Sequence, residues 1–205
     1  SGNITATHRY LLGGYDAIVD GTNGDYQTIQ AADDALDTAD GYSLFVNGGT
    51  YSETVTVSTD DNVIVFGPKT QITSLVLSGE RNHVIAMPGF QVTGALTLSG
   101  ANNVMEIQGA ANLDGAVLVS DTQSKLTIGP DSDLNSTLTL SGANSSFAAG
   151  GSTQVHGNVT ISAAGVQFEA GSGWDFDGTI NIDSNGDQCE MTLGANGDLN
   201  GTFTC

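Results

Sequence analysis

Leu75-Val76-Leu77-Ser78-Gly79, Leu96-Thr97-Leu98-Ser99-Gly100, Val117-Leu118-Val119-Ser120-Asp121, Leu138-Thr139-Leu140-Ser141-Gly142, Val159-Thr160-Ile161-Ser162-Ala163 and Ile180-Asn181-Ile182 are variants of one phrase. Their first residues, 75, 96, 117, 138, 159 and 180, stand 21 apart without an insertion. Two apolar residues separated by one, then Ser and a small residue, read as a short strand entering a turn. A constant step of this size marks a solenoid, whose turns bury their apolar side chains only by stacking on one another.

Writing the turns beneath one another extends the pattern in both directions. Val84, Met105, Leu126, Phe147, Phe168 and Cys189 make one apolar column, and Ala86, Ile107, Ile128, Ala149, Ala170 and Met191 a second. Val92, Leu113, Leu134, Val155 and Phe176 make a third, so each turn holds two or three short strands around a narrow core. Hexapeptide helices need turn lengths in multiples of six, and the leucine-rich phrase differs in spacing and leucine content. The expected fold is therefore all-β, a single-stranded right-handed parallel β-helix of about 21 residues per turn. The calcium-binding nonapeptide repeat is absent from the sequence.

The last turn departs from this regularity. Leu199-Asn200-Gly201-Thr202-Phe203-Thr204-Cys205 mirrors Phe176 to Ile182, but Cys189 to Leu199 is two residues longer than Phe168 to Phe176. Cys189 and Cys205 are the two cysteines, both expected inward in that turn, where a disulfide suits an oxidising exterior and two buried thiols are the alternative. No covering helix follows, so docking on another subunit or membership of a longer chain is expected there.

At the other end, residues 1–14 (SGNITATHRYLLGG) show neither strand nor helix period and read as an extended arm, with residues 15–205 as one β-helix domain. Tyr10, Leu11 and Leu12 would be wasted in solvent, so the arm is expected to pack on its own solenoid or on a neighbour. Ile29, Ala32 and Leu36 at i, i+3 and i+7, with Gln30, Asp33, Asp34 and Asp37 facing away, predict one amphipathic capping helix over about 26–39. Asp25 or Thr28 can cap its start, and regular turns follow over about 43–205.

The stretch Gly24-Asp25-Tyr26-Gln27-Thr28-Ile29-Gln30-Ala31-Ala32, with Ser43-Leu44-Phe45-Val46 and Gly49-Thr50-Tyr51-Ser52-Glu53, resembles the N-terminal cap and first turn of pectin-lyase-like right-handed β-helices. Pectin methylesterases and many phage tailspike and virion proteins begin this way. The resemblance covers roughly residues 15–66. It implies the fold and, from what phage β-helices do, a trimer on a virion or similar surface. The later catalytic Asp, Gln and Arg motifs of the esterases are missing here.

The chain carries 23 acidic and 4 basic residues, for a net charge of −19, and no Lys or Arg follows Leu126. That balance excludes the electrostatic footprint of a nucleic-acid binder and disfavours an anionic membrane. No apolar run approaches the ~20 residues of a membrane helix, and no basic-then-apolar leader is present.

Outward columns are where chemistry can sit. Gln91, Asn112, Asp133, Gln154, Asp175 and Asp198 form one, and Thr93, Asp114, Asn135, His156, Asp177 and Asn200 another. Together they gather Asp175, Asp177, Asp198 and His156 on one patch beside Trp174, the only tryptophan. Paired carboxylates serve acid–base cleavage of glycosides or hold Ca²⁺, an indole is a sugar platform, and a solvated acidic face is the plain alternative. Glu106, Glu169 and Glu190 occupy a mixed column with Ile85, Thr127 and Ala148. Val76, Thr97, Leu118, Thr139 and Thr160, flanked by Ala95, Ala116 and Thr137, make a flat face with little charge, as subunit interfaces do. The residues lead to a non-enzymatic extracellular or virion-surface protein that forms homo-oligomers, trimers foremost, and contacts other surface proteins. A secreted module that binds or cleaves glycans is the alternative. No cofactor is required, with Ca²⁺ at the acidic patch the one ion considered.

Overall fold

The computed structural model describes residues 14–37, 41–183 and 188–205. They form a parallel β-solenoid whose strands stack in three faces. The first face holds β1 (Ala17–Val19), β2 (Ser43–Val46), β4 (Val63–Phe66), β6 (His83–Ala86), β9 (Val104–Ile107), β12 (Lys125–Ile128), β15 (Ser146–Ala149), β18 (Gln167–Ala170) and β21 (Glu190–Leu193). The second holds β7 (Phe90–Val92), β10 (Ala111–Leu113), β13 (Asp133–Leu134), β16 (Gln154–Val155), β19 (Asp175–Phe176) and β22 (Asp198–Leu199). The third holds β8 (Leu96–Leu98), β11 (Val117–Val119), β14 (Leu138–Leu140), β17 (Val159–Ile161), β20 (Ile180–Ile182) and β23 (Phe203–Thr204). The second and third faces meet at β5 (Gln71–Leu77), whose first residues pair with β7 and whose last pair with β8. Before it lies β3 (Thr50–Val57), paired with β5 across a register shift between Tyr51 and Thr54.

Every side chain of the quoted phrase's apolar columns is in register, Leu75 on Leu96, Val117, Leu138, Val159 and Ile180, and all six are buried. Alternation along each strand sends Leu96 and Leu98 inward and Thr97 outward. The interior is filled by aliphatic stacks and a phenylalanine series, with Phe147 on Phe168 at 5.2 Å and Phe168 against Phe176 at 5.8 Å between ring centres. Each fully buried side chain of this size contributes ~1.5–3 kcal/mol over its exposed state.

Corners need backbone that turns tightly without leaving polar groups unpaired. Asp61, Arg81, Asn102, Gln123 and Asn144 stand at equivalent corners with φ between 55° and 61°, a region uncommon for side-chain-bearing residues. The residue after each corner secures it. Asn62, Asn82 and Asn103 are fully buried, and the Oδ1 of Asn82 accepts from the Asn62 N–H (3.0 Å) while that of Asn103 accepts from Asn82 (2.8 Å). The ladder passes to Ser124 Oγ, which accepts from Asn103 N–H at 3.2 Å. It stops there, since the hydroxyl of the next member, Ser145, is buried without a hydrogen-bond partner. At another corner, a Cβ on Gly100 would overlap the carbonyl oxygen of Gly79, which explains the recurrent Ser-Gly pair.

The capping helix, α1, spans Ile29–Leu36, shorter than the expected 26–39. Tyr26 forms a bridge with Val19 and so cannot be helical, and residues 38–40 lie outside the described set. Thr28 is the N-cap, accepting from Ala31 N–H, whereas the Asp25 carboxylate instead accepts from Ile18 N–H at 3.0 Å. From β3, Glu53 accepts from the Ile29 and Gln30 N–H groups at 2.7 and 3.0 Å, placing a carboxylate at the helix's positive end. Gln30 in turn bonds the Thr56 backbone through both its amide atoms, so the helix covers the free edge of β3 as expected. Asp33 does not face away. It is 2% exposed and accepts from the Tyr42 hydroxyl, being four residues from Ile29 and hence on the helix's inner side.

The last turn corrects the sequence alignment. Phe168 pairs with Met191 and Ala170 with Leu193, so the two additional residues fall before β21, and Cys189 is not in the inward column assigned to it. Glu190 consequently pairs with Gln167, and Thr192, not Glu190, follows Glu169. No described strand pairs with the outer edges of β21, β22 and β23. There Leu193 is 37% and Phe203 49% exposed. The expected arm, residues 1–14, lies outside the described residues apart from Gly14.

Candidate functional site

On the second face, strand register brings together what the sequence columns predict. Gln154, Asp175 and Asp198 follow one another on β16, β19 and β22, and His156, Asp177 and Asn200 emerge just beyond the same strands. His156 Nδ1 and Asp177 Oδ2 are 2.7 Å apart. Asn200 Nδ2 donates to Asp177 Oδ1 at 3.2 Å and to Asp175 Oδ1 at 3.1 Å. Three turns earlier the motif repeats, with Asn135 Nδ2 donating to Asn112 Oδ1 (2.7 Å) and Asp114 Oδ1 (2.9 Å). These are amide ladders running across strands, the sheet equivalent of helical side-chain pairs.

The electrostatics favour an ionised Asp177. The His156 hydrogen bond, then that of Asn200, holds the Asp177 carboxyl below the usual carboxylate range. A general acid for glycoside cleavage needs the opposite shift, produced by an apolar pocket. Both oxygens of Asp177 are already engaged, and the His156 and Asp177 side chains are 40% and 42% exposed, so solvent weakens their attraction. Among the described residues no three His, Cys, Asp or Glu side chains converge as metal ligands.

Trp174 is not a platform. It is 8% exposed, its Nε1 donates to the Gly194 carbonyl at 2.9 Å, and its ring packs on Phe176 at 4.9 Å. It belongs to an inward corner column through Thr70, Phe90, Ala111, Ser132 and Thr153, and the next member, Gly197, is small because a Cβ there would overlap the indole. Stepping 20 or 21 residues back from Trp174 would have revealed that column, which was hidden by its mixed chemistry.

Two clefts lie elsewhere. One of about 190 Å³ sits between Phe90, Ala111, Asn112, Asp131 and Asp133, and one of about 230 Å³ between Lys125, Phe147, Gln167 and Glu169. Both are below the ~300–1,000 Å³ of ordinary small-molecule pockets. Cys189 and Cys205 are free thiols rather than a bridge. Cys189 precedes β21 on the first face with its Sγ on the Ala163 carbonyl (3.2 Å), while Cys205 ends the third face in solvent.

The third face is of another kind. Val76, Thr97, Leu118, Thr139 and Thr160 align as expected, all half-buried and outward. The column continues to Thr56 at one end and Thr204 at the other, and its companion runs through Thr54, Ser74, Ala95, Ala116, Thr137, Asn158, Thr179 and Thr202. Neither column contains a charged residue. No protein-family model, curated protein or solved structure matches this chain.

Proposed function

We propose that this protein is a non-catalytic structural β-helix that assembles side by side through its third face into a homo-oligomer, a trimer foremost, on a virion or comparable extracellular surface. The observation that carries the reading is the sorting of charge. A chain of net charge −19 keeps two full outward columns of its third face free of any charge. Depletion of charge with small and β-branched side chains on a flat sheet is what the centre of an interface needs, because nothing charged is desolvated on contact. Parallel solenoids around a shared axis would each present this face inward. The virion setting rests on the likeness of the cap, around Gly24 to Ala32 and Gly49 to Glu53, to pectin-lyase-like phage proteins. A glycan-binding or glycan-cleaving role is the weaker reading, since Trp174 is covered and Asp177 is held as an anion by His156 and Asn200.

The test inserts one charge into the face. Leu118→Arg should reduce the assembly to the 20.9 kDa chain, whereas Gln154→Arg on the second face should leave its mass unchanged. An assembly that survives Leu118→Arg and Thr139→Arg together sinks the proposal.

A further inference from the structure

Asparagine followed by glycine is a chemically fragile pair, because glycine leaves its amide nitrogen unshielded for attack on the asparagine side chain. Four such pairs fall among the described residues, at 23–24, 47–48, 196–197 and 200–201, and the asparagine is exposed in each. Reaction needs a free glycine nitrogen and a side chain free to meet it. Gly24 N–H donates to the Asp20 carbonyl at 3.3 Å, and the residue is boxed in, since a Cβ there would overlap the Asp20 nitrogen and the Ile18 carbonyl oxygen. Asn47 is held at both ends, its Nδ2 donating to Asp20 Oδ2 (2.8 Å) and its Oδ1 accepting from Gly48 N–H (3.0 Å). The Asn200 amide is shared between Asp175 and Asp177. Asn196 differs from all three. Among the described residues neither its side chain nor the Gly197 N–H has a hydrogen-bond partner. The pair turns the corner from β21 to β22 at a φ of 59°, and no described strand pairs with the outer edges of those two strands.

We propose that Asn196-Gly197 is a site of spontaneous modification through which the last turn ages. The Gly197 nitrogen gives its proton to solvent and bonds to Asn196 Cγ, the Cγ–Nδ2 bond breaks, and the amide nitrogen leaves as ammonia. Water then opens the resulting succinimide at either carbonyl, giving an aspartyl or an isoaspartyl residue at 196. The isoaspartyl product adds a backbone carbon to the corner. Gly197 lies against the Trp174 indole so closely that a Cβ would overlap the ring, so a longer corner displaces the chain that covers it. Trp174, 8% exposed and bonded through Nε1 to the Gly194 carbonyl, becomes wetter as the turn loosens. The corner joins the first and second faces and leaves the third untouched, so the inference stands independently of the assembly reading.

Prolonged incubation of the full chain at mildly alkaline pH, followed by residue-resolved mass spectrometry, tests it. In the folded chain, conversion at Asn196 should outrun that at Asn23, Asn47 and Asn200 about tenfold or more, because those three must first open locally. In denaturant the four rates should converge. Emission of Trp174, the only tryptophan, should move to longer wavelength in step with conversion. Asn196→Gln should abolish both the conversion and the shift, and Gln123, with a φ of 57° at another corner, shows that Gln is accommodated in this backbone region. Conversion at Asn23, Asn47 or Asn200 that keeps pace with Asn196 in the folded chain overturns the proposal. So does a Trp174 emission that stays fixed while Asn196 converts, or one that drifts equally in parent and Asn196→Gln.

Discussion

Asn103 shows how single residues hold a fold with so few long elements. Its carbonyl oxygen accepts from Asn82 N–H and its amide donates to the carbonyls of Gly79 and Gly100, each at 2.8 Å, with no exposed surface. Gly100 keeps a second donor in Ser124, so Asn103→Ala orphans two buried groups, the Asn82 N–H and the Gly79 carbonyl. At ~1–3 kcal/mol per orphaned group, the loss in a denaturant titration should be about 2–6 kcal/mol. Asn103→Ser should cost less, because Ser124 fills the equivalent place one turn on. A loss under about 1 kcal/mol for Asn103→Ala would mean that packing alone holds the corners. Trp174 makes the complementary point about what a sequence conceals. Its neighbours in the corner column are Thr, Phe, Ala and Ser, so no apolar stripe announces an inward position, and the nearby aspartates suggest a surface one.

At the scale of elements, α1 is joined to the body by Glu53, Gln30 and Asp33. Burial pushes the Asp33 carboxyl up to about 6, against a smaller opposing effect from the Tyr42 hydrogen bond, and Asp37 and Asp34 add to the rise. Burial and Asp33 also raise Tyr42. The folded state thus holds the Asp33 proton more tightly than the unfolded chain does. Stability from this group is complete below about 4 and is lost as pH rises to about 6, a difference of roughly 3 kcal/mol for a shift of about two units. Asp33→Asn should remove that dependence, so exchange of the Ile29–Leu36 amides, which should quicken between pH 4.5 and 7 after correction for intrinsic rates, should become level. An equal pH response in parent and variant would refute the assignment. The helix, its Thr28 cap and the strand columns were legible because period and cap chemistry are local. Asp33 was misassigned although its i, i+4 relation to Ile29 was visible, since a carboxylate on the inner side is intelligible only with Tyr42 in place. The last turn was misaligned for a different reason. A slip of one residue reverses inside and outside, but a slip of two preserves alternation, so Cys189 and Met191 fitted as well as Met191 and Leu193.

For the whole molecule, the proposed assembly sets the uncharged third face against the mutual repulsion of strongly acidic chains. Repulsion between chains of net charge −19 acts over ~30 Å at 0.01 M salt and over ~10 Å at 0.1 M. Association through an uncharged face should therefore strengthen as salt is added, whereas one built on ion pairs would weaken. The most direct measurement is sedimentation equilibrium of the parent chain at 0.01 M and 0.15 M salt over a wide concentration range. The expected mass is that of three chains of 20.9 kDa, favoured at the higher salt. A mass of 20.9 kDa at every concentration and both salts would contradict it.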